Sequence, residues 1–245
     1  QGFLVWILSR YFNYRKLPKK KLASGNLSDE DKEMVKKARE YWRKNYAKQI
    51  KMVALSDADS KLTCRIIKKH IQRDGITTFL VDTFKITTSN GTNDNFWLQL
   101  VVDSKDLDAI TKRYNVIGLM TIQLAINSLG RLWMDASCLS NSRAIKEVLS
   151  NLILFRKIYP DELVSGSPID LKPFRSKKGA DDKWYEEPYL PDPKNVYRCL
   201  FVEKSRRGID SGDSGVAYLV RYDGDYCSFH ETAKARPSHK TVNNG

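Results

Sequence analysis

The chain has 245 residues, of which 41% are hydrophobic and 11% aromatic, so it can bury a core and is not intrinsically disordered. Its formal net charge of +13 favours a polyanionic partner, nucleic acid above all, although a generally basic protein explains the charge equally well. The sequence has no run of 18 apolar residues, so it predicts no membrane-spanning helix. Four separated cysteines and three histidines predict neither a zinc motif nor a disulfide framework, and reduced thiols in a cytoplasmic protein are the simplest interpretation.

The N-terminal part is predicted to be helical and basic. A short apolar helix comes first; no basic segment precedes it and no cleavage site follows, so we do not interpret it as a signal peptide. The initial Gln1 suggests a fragment or a processed product. Residues 1–28 contain six basic residues and no acid. Ser28 then begins a helix that runs to about Ala47, since acids in its first turn suit the positive end of the helix dipole.

Strands and helices alternate through the middle of the chain. The predicted elements are strands at 51–55, 77–82, 116–124 and 151–155, helices at 60–73, 96–114 and 143–148, and loops at 87–95 and 127–141. This alternation implies right-handed crossovers and a mainly parallel sheet.

The C-terminal part is predicted to be less regular. Residues 160–195 are rich in Pro, Asp and Lys and are predicted to form an irregular, exposed insertion. Three strands follow at 196–203, 215–222 and 226–230, with Asp223-Gly224 as a turn, so that a terminal hairpin adds antiparallel strands at one edge of the sheet. The tail at 233–245 is polar and predicted to fray.

Four polar side chains stand at predicted strand ends, where ligands of parallel α/β sheets bind. Asp82 could hold a Mg²⁺ ion, or simply end a strand as a turn residue. Gln123 could reach a γ-phosphate, or bond to backbone. Lys204 and Arg206 are two residues apart, so their side chains project the same way and could meet one phosphate group; a solvated turn is the alternative.

The order of several motifs resembles the C-terminal RecA-like ATPase domain of DnaB-like, superfamily four, replicative helicases. The resemblance covers residues 1–232. It rests on the strings LASGNLSDED, FLVDTFK, TTSNGTNDN, LMTIQLA, CLSNSRAIKEV, LFVEKSRRG and GDYCSFHE in this order. The implied fold is α/β, a RecA-like three-layer core with a mainly parallel sheet, C-terminal antiparallel strands and the first strands missing.

The resemblance also implies roles for single residues. Asp82 organises Mg²⁺, Gln123 couples the γ-phosphate of ATP to DNA-facing loops, and Lys204 with Arg206 forms an arginine finger for the neighbouring subunit. ATP and Mg²⁺ are the implied cofactors. The implied contacts with single-stranded DNA fall on Ser89, Asn90, Asn93, Arg131, Ser140, Asn141 and Arg143. A hexameric ring, a primase or helicase loader as partner, no membrane association, and the cytoplasm of a bacterial or phage-infected cell are implied as well.

The sequence departs from this family in several respects, one of which is a segment 160–195 longer than expected. It contains no GxxxxGK[ST] phosphate loop, and Ser140-Asn141-Ser142-Arg143 stands where the family usually has Arg-Glu-Ser-Gly. We therefore expect part of an ATP-dependent 5′→3′ DNA helicase motor that is inactive alone. One alternative is a non-catalytic protein that binds nucleic acid or docks to a helicase; another is a recombinase or clock-type ATPase with the same core, against which the final Lys-x-Arg strand argues.

Overall fold

The computed structural model describes residues 2–55, 60–82, 96–125, 128–139, 143–206 and 208–239, with backbone only at 96–100, 143 and 144. The helices are α1 (Gly2–Tyr11), α2 (Lys19–Ser24), α3 (Asp29–Asn45), α4 (Ser60–Asp74), α5 (Phe96–Tyr114), α6 (Arg143–Val148) and α7 (Ser211–Ser214). The strands are β1 (Thr78–Val81), β2 (Ile117–Met120), β3 (Asn151–Lys157), β4 (Pro173–Lys178), β5 (Trp184–Pro188), β6 (Val196–Ser205), β7 (Ala217–Asp223) and β8 (Ser228–Ala235). No described helix is both long enough and apolar enough to cross a membrane.

The chain forms two compact units, each built from separate segments. The first unit contains Gln1–Met52, Arg156–Leu200 and Ala217–Arg236, and the second contains Val53–Phe155, Phe201–Val216 and Pro237–Gly245.

The described strands form a two-stranded parallel sheet, β1-β2, and a six-stranded sheet in the order β3-β6-β7-β8-β4-β5. The pairs β6/β7, β7/β8, β4/β8 and β4/β5 are antiparallel. The prediction of a mainly parallel sheet therefore holds for β1 and β2 but not for the larger sheet. The terminal hairpin β7/β8 lies inside the strand order rather than at its edge, because β4 pairs with β8 and β5 adds a further strand.

In the first unit, helices α1 and α3 share an apolar core that includes Ile7, Leu8 and Val35. Helix α3 begins as predicted at Ser28, which forms a capping box with Asp31. The Asp31 carboxylate is fully buried and accepts hydrogen bonds from the Tyr14 hydroxyl at 2.7 Å and the Lys21 ammonium at 2.6 Å. One buried carboxylate thus fixes the start of α3 and links it to Tyr14 and to Lys21 of α2.

These contacts change the ionisation of both partners. Hydrogen bonds from Lys21 and Tyr14 hold the pKa of Asp31 well below its usual value of 3.8, against the opposing effect of burial. Burial, together with donation to Asp31, raises the pKa of Tyr14 to about 12.

The lowered pKa of Asp31 predicts an acid-dependent stability. Because the folded-state pKa is depressed, the ionised form stabilises the fold above pH 3.8, and this contribution is lost as the pH falls towards the folded-state value. Asp31→Asn should therefore lower the urea midpoint at pH 7, and its deficit relative to the wild type should shrink below pH 4. Asp29→Asn is the matched control, since Asp29 is 99% exposed in its ion pair with Lys32. A deficit that stays constant down to pH 2.5 would contradict the assignment.

The stretch 160–195, predicted to be irregular, contains a 3₁₀ turn at Pro160–Leu163 and the strands β4 and β5. Its 3₁₀ turn is fixed by a buried ion pair, in which both guanidinium nitrogens of Arg156 donate to the Glu162 carboxylate at 2.7 and 2.6 Å. The tail also differs from its prediction, because β8 continues to Ala235 and both Ala233 and Ala235 are buried. The small side chains of Ala233 and Ala235 face inward, so the strand continues here although the sequence around them is polar.

In the second unit, α4 and α5 cover one face of the parallel pair. Cys64 and Ile67 of α4 are buried with Phe79 of β1 and with Leu107 and Ile110 of α5. The spacing of three residues on each helix puts these side chains on one face, which is why both helices were predictable.

Two strand predictions, at 51–55 and 116–124, need correction. Residues 51–55 are not a strand in the structure, and Met52 is 81% exposed. The strand predicted at 116–124 is shorter, ending at Met120, which pairs with Val81, the last residue of β1. Apolar, β-rich composition predicts a strand only where a pairing partner exists.

Gly118 lies where β2 packs closely against its neighbours. A Cβ at this position would stand 2.7 Å from the Phe79 ring and 2.8 Å from the Thr111 methyl group. Gly118→Ala should therefore lower the free energy of unfolding by about 1–3 kcal/mol through overpacking, measured by urea denaturation. Gly208→Ala, whose Cβ would approach only the Ser205 hydroxyl at 3.3 Å, should have a much smaller effect. Equal losses in the two variants would argue against a packing constraint at Gly118.

Candidate functional site

Asp82 lies directly after β1, at the carboxyl end of the parallel pair. The register pairs Val81 with Met120, so Asp82 and Thr121 are the next residues on the two strands. The Thr121 hydroxyl donates to the Asp82 carboxylate at 2.7 Å, and the Thr121 amide donates to the Val81 carbonyl at 3.1 Å. Asp82 therefore has a defined position at the edge where ligands of parallel sheets bind.

Gln123 lies three residues beyond the end of β2, and its side chain is exposed. Since the strand ends earlier than predicted, Gln123 is not a strand end but part of the segment that leaves the sheet beside Asp82. The structure thus places both polar residues after adjacent strands of one small sheet.

The donors at this edge fit a magnesium ion that is held mainly by a nucleotide. Mg²⁺ usually keeps several waters and takes one or two carboxylates from the protein, together with phosphate oxygens. Asp82 supplies one carboxylate, and its neighbour Thr121 supplies a hydroxyl. Within the described ranges, no group of three or more His, Cys, Asp or Glu residues could hold a metal without such help.

Lys204 and Arg206 face the C-terminal end of α6. The Lys204 ammonium donates to the Lys146 carbonyl and, at 3.2 Å, to the Glu147 carbonyl. The Arg206 guanidinium donates to the Val148 carbonyl at 3.4 Å. The prediction that both cations project the same way is confirmed, and together they satisfy carbonyls that have no partner within the helix.

A second link joins the same two elements. The Lys146 ammonium donates to the Glu203 carboxylate at 2.6 Å, and the Glu203 side chain is only 8% exposed. Partial burial lowers the pKa of Lys204, and the nearby charges of Arg206 and Lys146 lower it further. The end of β6 is thus joined to α6 in two ways, by Lys204 and Arg206 at the last carbonyls of the helix and by Lys146 at the buried Glu203 carboxylate.

The hydrogen bonds indicate different roles for Lys204 and Arg206, the two residues predicted to form the arginine finger. Lys204→Ala removes two hydrogen bonds to the negative end of α6 and should lower the free energy of unfolding by about 1 kcal/mol or more. Arg206→Ala removes one long bond from an exposed side chain and should change it by less than about 0.5 kcal/mol. Urea denaturation of both variants measures the difference. If Arg206→Ala were the more destabilising, Arg206 would be a structural cap and not an available cation.

Among the predicted DNA-binding residues, Arg131 is the one whose side chain the structure describes. It donates to the Ser137 hydroxyl and lies 3.7 Å from the Asp135 carboxylate, so it closes its own loop. Arg143 begins α6, but its side chain is not described. The remaining predicted contacts lie outside the described residues, namely Ser89, Asn90, Asn93, Ser140 and Asn141.

Three residues of these clusters were not predicted from the sequence. Thr121 follows β2 directly, so the register of the parallel pair would have identified it as the neighbour of Asp82. Lys146 and Glu203 are 57 residues apart, and no local pattern connects them.

Comparison of the sequence with protein-family models and with curated proteins gives no match. The fold, in contrast, is similar to that of a solved structure described as a DnaB-like replicative helicase and its interactions with primase, with a TM-score of 0.62 and 15% identity. The alignment covers 93% of this chain and 47% of that chain, so this chain spans about half the length of the helicase. At this identity the likeness concerns the fold alone.

Proposed function

We propose that this chain is the part of a DnaB-like, RecA-like motor domain that organises Mg²⁺, senses the γ-phosphate of ATP and supplies an arginine finger to a neighbouring subunit. The observation that carries the proposal is the placement of Asp82 and Thr121 side by side at the carboxyl ends of β1 and β2. The fold similarity to a DnaB-like replicative helicase supports it.

Each residue has a task that its position permits. Asp82 would hold the Mg²⁺ ion, and its hydrogen bond from Thr121 keeps the carboxylate oriented. Gln123 is exposed just beyond β2 and would contact the terminal phosphate. Transfer of the γ-phosphoryl group of ATP to water would supply the energy for unwinding. A GxxxxGK[ST] loop for the phosphates of ATP does not occur among these 245 residues.

Arg206 would act in trans. Its guanidinium is exposed and makes one long bond to the end of α6, so releasing it costs little. Lys204 is held more firmly by two carbonyls and would position the strand end rather than reach the phosphate. A finger that serves the next subunit does not need to touch Asp82 of its own chain.

A ring of such subunits would surround single-stranded DNA and unwind duplex DNA in the cytoplasm, with a primase as a further partner, as the helicase structure of similar fold interacts with primase. A second candidate is a non-catalytic protein that docks to a helicase or to nucleic acid. It is favoured by one observation, since Lys204 and Arg206 already have acceptors in the chain itself.

Subunit mixing tests the motor against the docking protein. In a hexamer-forming protein that contains this chain together with a phosphate loop, Arg206→Ala should reduce ATP hydrolysis by roughly 10³-fold or more. Mixing Arg206→Ala subunits with subunits that lack the lysine of the phosphate loop should restore part of the rate. In such mixed rings an intact phosphate loop of one subunit lies next to an intact arginine finger of its neighbour. The measurement is steady-state phosphate release after the rings have been dissociated and reassembled.

The control is Arg39→Ala, which should leave hydrolysis unchanged, since Arg39 is an exposed residue of α3 outside the proposed site. Unchanged hydrolysis in Arg206→Ala alone would support the docking protein. A dead single variant that is not rescued on mixing would place the finger in its own subunit.

A further inference from the structure

A cleft of about 350 Å³ lies between α4 and α5, within the second unit. Three cations of α4 line it, Lys61, Arg65 and Lys68, and Arg113 of α5 lines it from the other side. The α4 residues are four and three positions apart, so the helix places them on one face. The cleft is thus lined by cations from both of its walls.

These four cations have no ion-pair partner in the part of the chain that the structure describes. The next residue along α5 behaves differently, since Lys112 pairs with Asp108 at 2.6 Å. One carboxylate, that of Asp106, also lines the cleft. Four cations and one carboxylate give a formal charge of +3, which favours an anionic occupant.

The floor of the cleft is apolar and closed. Ile110 is 3% exposed and Cys64 is 7% exposed, and both belong to the core of this unit. Burial, and to a smaller extent the charge of Asp106, raises the pKa of the Cys64 thiol, whereas Lys68 lowers it. The thiol therefore stays neutral and adds no negative charge to the cleft.

We propose that this cleft binds a chain of phosphates, either the polyphosphate of a nucleotide or the backbone of a single-stranded nucleic acid. Two arginines on opposite walls can each meet phosphate oxygens with a planar fork, which favours phosphate over a single carboxylate. The volume lies within the range of small-molecule pockets, about 300–1,000 Å³. This site does not depend on the proposed motor function, since it shares no residue with the clusters at Asp82 and Arg206.

The first test measures binding of inorganic tripolyphosphate and of an oligothymidylate to the chain by titration calorimetry at low salt. Arg65→Gln/Arg113→Gln should weaken binding roughly tenfold or more, because hydrogen bonds to charged groups are lost. The matched control is Arg39→Gln/Arg43→Gln, which removes the same charge from exposed arginines of α3. Its affinity should stay within about twofold of the wild type if the cleft, and not the net charge, binds phosphate.

The second test fills the cleft and leaves every charge in place. Ala109 lines the cleft and is exposed on α5, so Ala109→Trp should be tolerated by the fold and should abolish binding by occupying the space. Binding of both probes would assign the cleft to phosphate from either source, and binding of the oligothymidylate alone would assign it to a nucleic-acid backbone.

Three results would overturn the proposal. The first is that neither probe binds, and the second is that both double arginine variants weaken binding equally while Ala109→Trp has no effect. The third is that polyglutamate binds as tightly as tripolyphosphate, which would identify an acidic protein segment as the occupant.

Discussion

The last carbonyl groups of α6 receive no hydrogen bond from an N–H group of the helix itself. They therefore need donors from elsewhere, and the end of β6 supplies them. Lys204 and Arg206 donate to these carbonyls, while Lys146 reaches back to the buried Glu203 carboxylate. The negative end of the helix dipole favours cations at this position. A basic strand end is therefore expected here on structural grounds alone, and only the difference in how tightly the two cations are held indicates which of them is available for another task.

The sequence predicted the helices better than the sheets. In helices α4 and α5 the apolar residues are three and four positions apart, and the bounds of both helices agree with the prediction within one residue. Strand β5 is exposed along its whole length, so its sequence has no alternation of apolar and polar residues from which a strand could be predicted. Backbone hydrogen bonds to β4 hold it in place, and such bonds leave no trace in composition. The antiparallel hairpin β7/β8 was predicted from its Asp223-Gly224 turn, whereas the pairing of β4 with β5 and β8 has no such local signal.

The candidate site was predictable as single residues but not as contacts. Asp82 stands out because an acid after an apolar strand is conspicuous, and Lys204 and Arg206 stand out because of their spacing. Their partners depend on register and on tertiary packing: Thr121 is defined by the pairing of Val81 with Met120, and Lys146 meets Glu203 across 57 residues. Residues whose role is set by a distant partner cannot be assigned from a local pattern, and the contacts decide whether a conspicuous cation is bound or available.

The net charge of +13 is less informative than the places where positive charge is left unpaired. Many of the cations lie near carboxylates: Lys21 is bound by Asp31, Lys146 by Glu203 and Lys112 by Asp108. Such pairs neutralise charge within the chain and say little about a partner. Arg65 and Arg113 differ because they line a shared cleft in which four cations face one carboxylate, that of Asp106. Concentrated positive charge beside low-dielectric walls raises the local potential far more than the same charge spread over a surface. The arrangement of a few arginines, rather than the overall basicity, is therefore the physical reason to expect a phosphate-bearing ligand at this place.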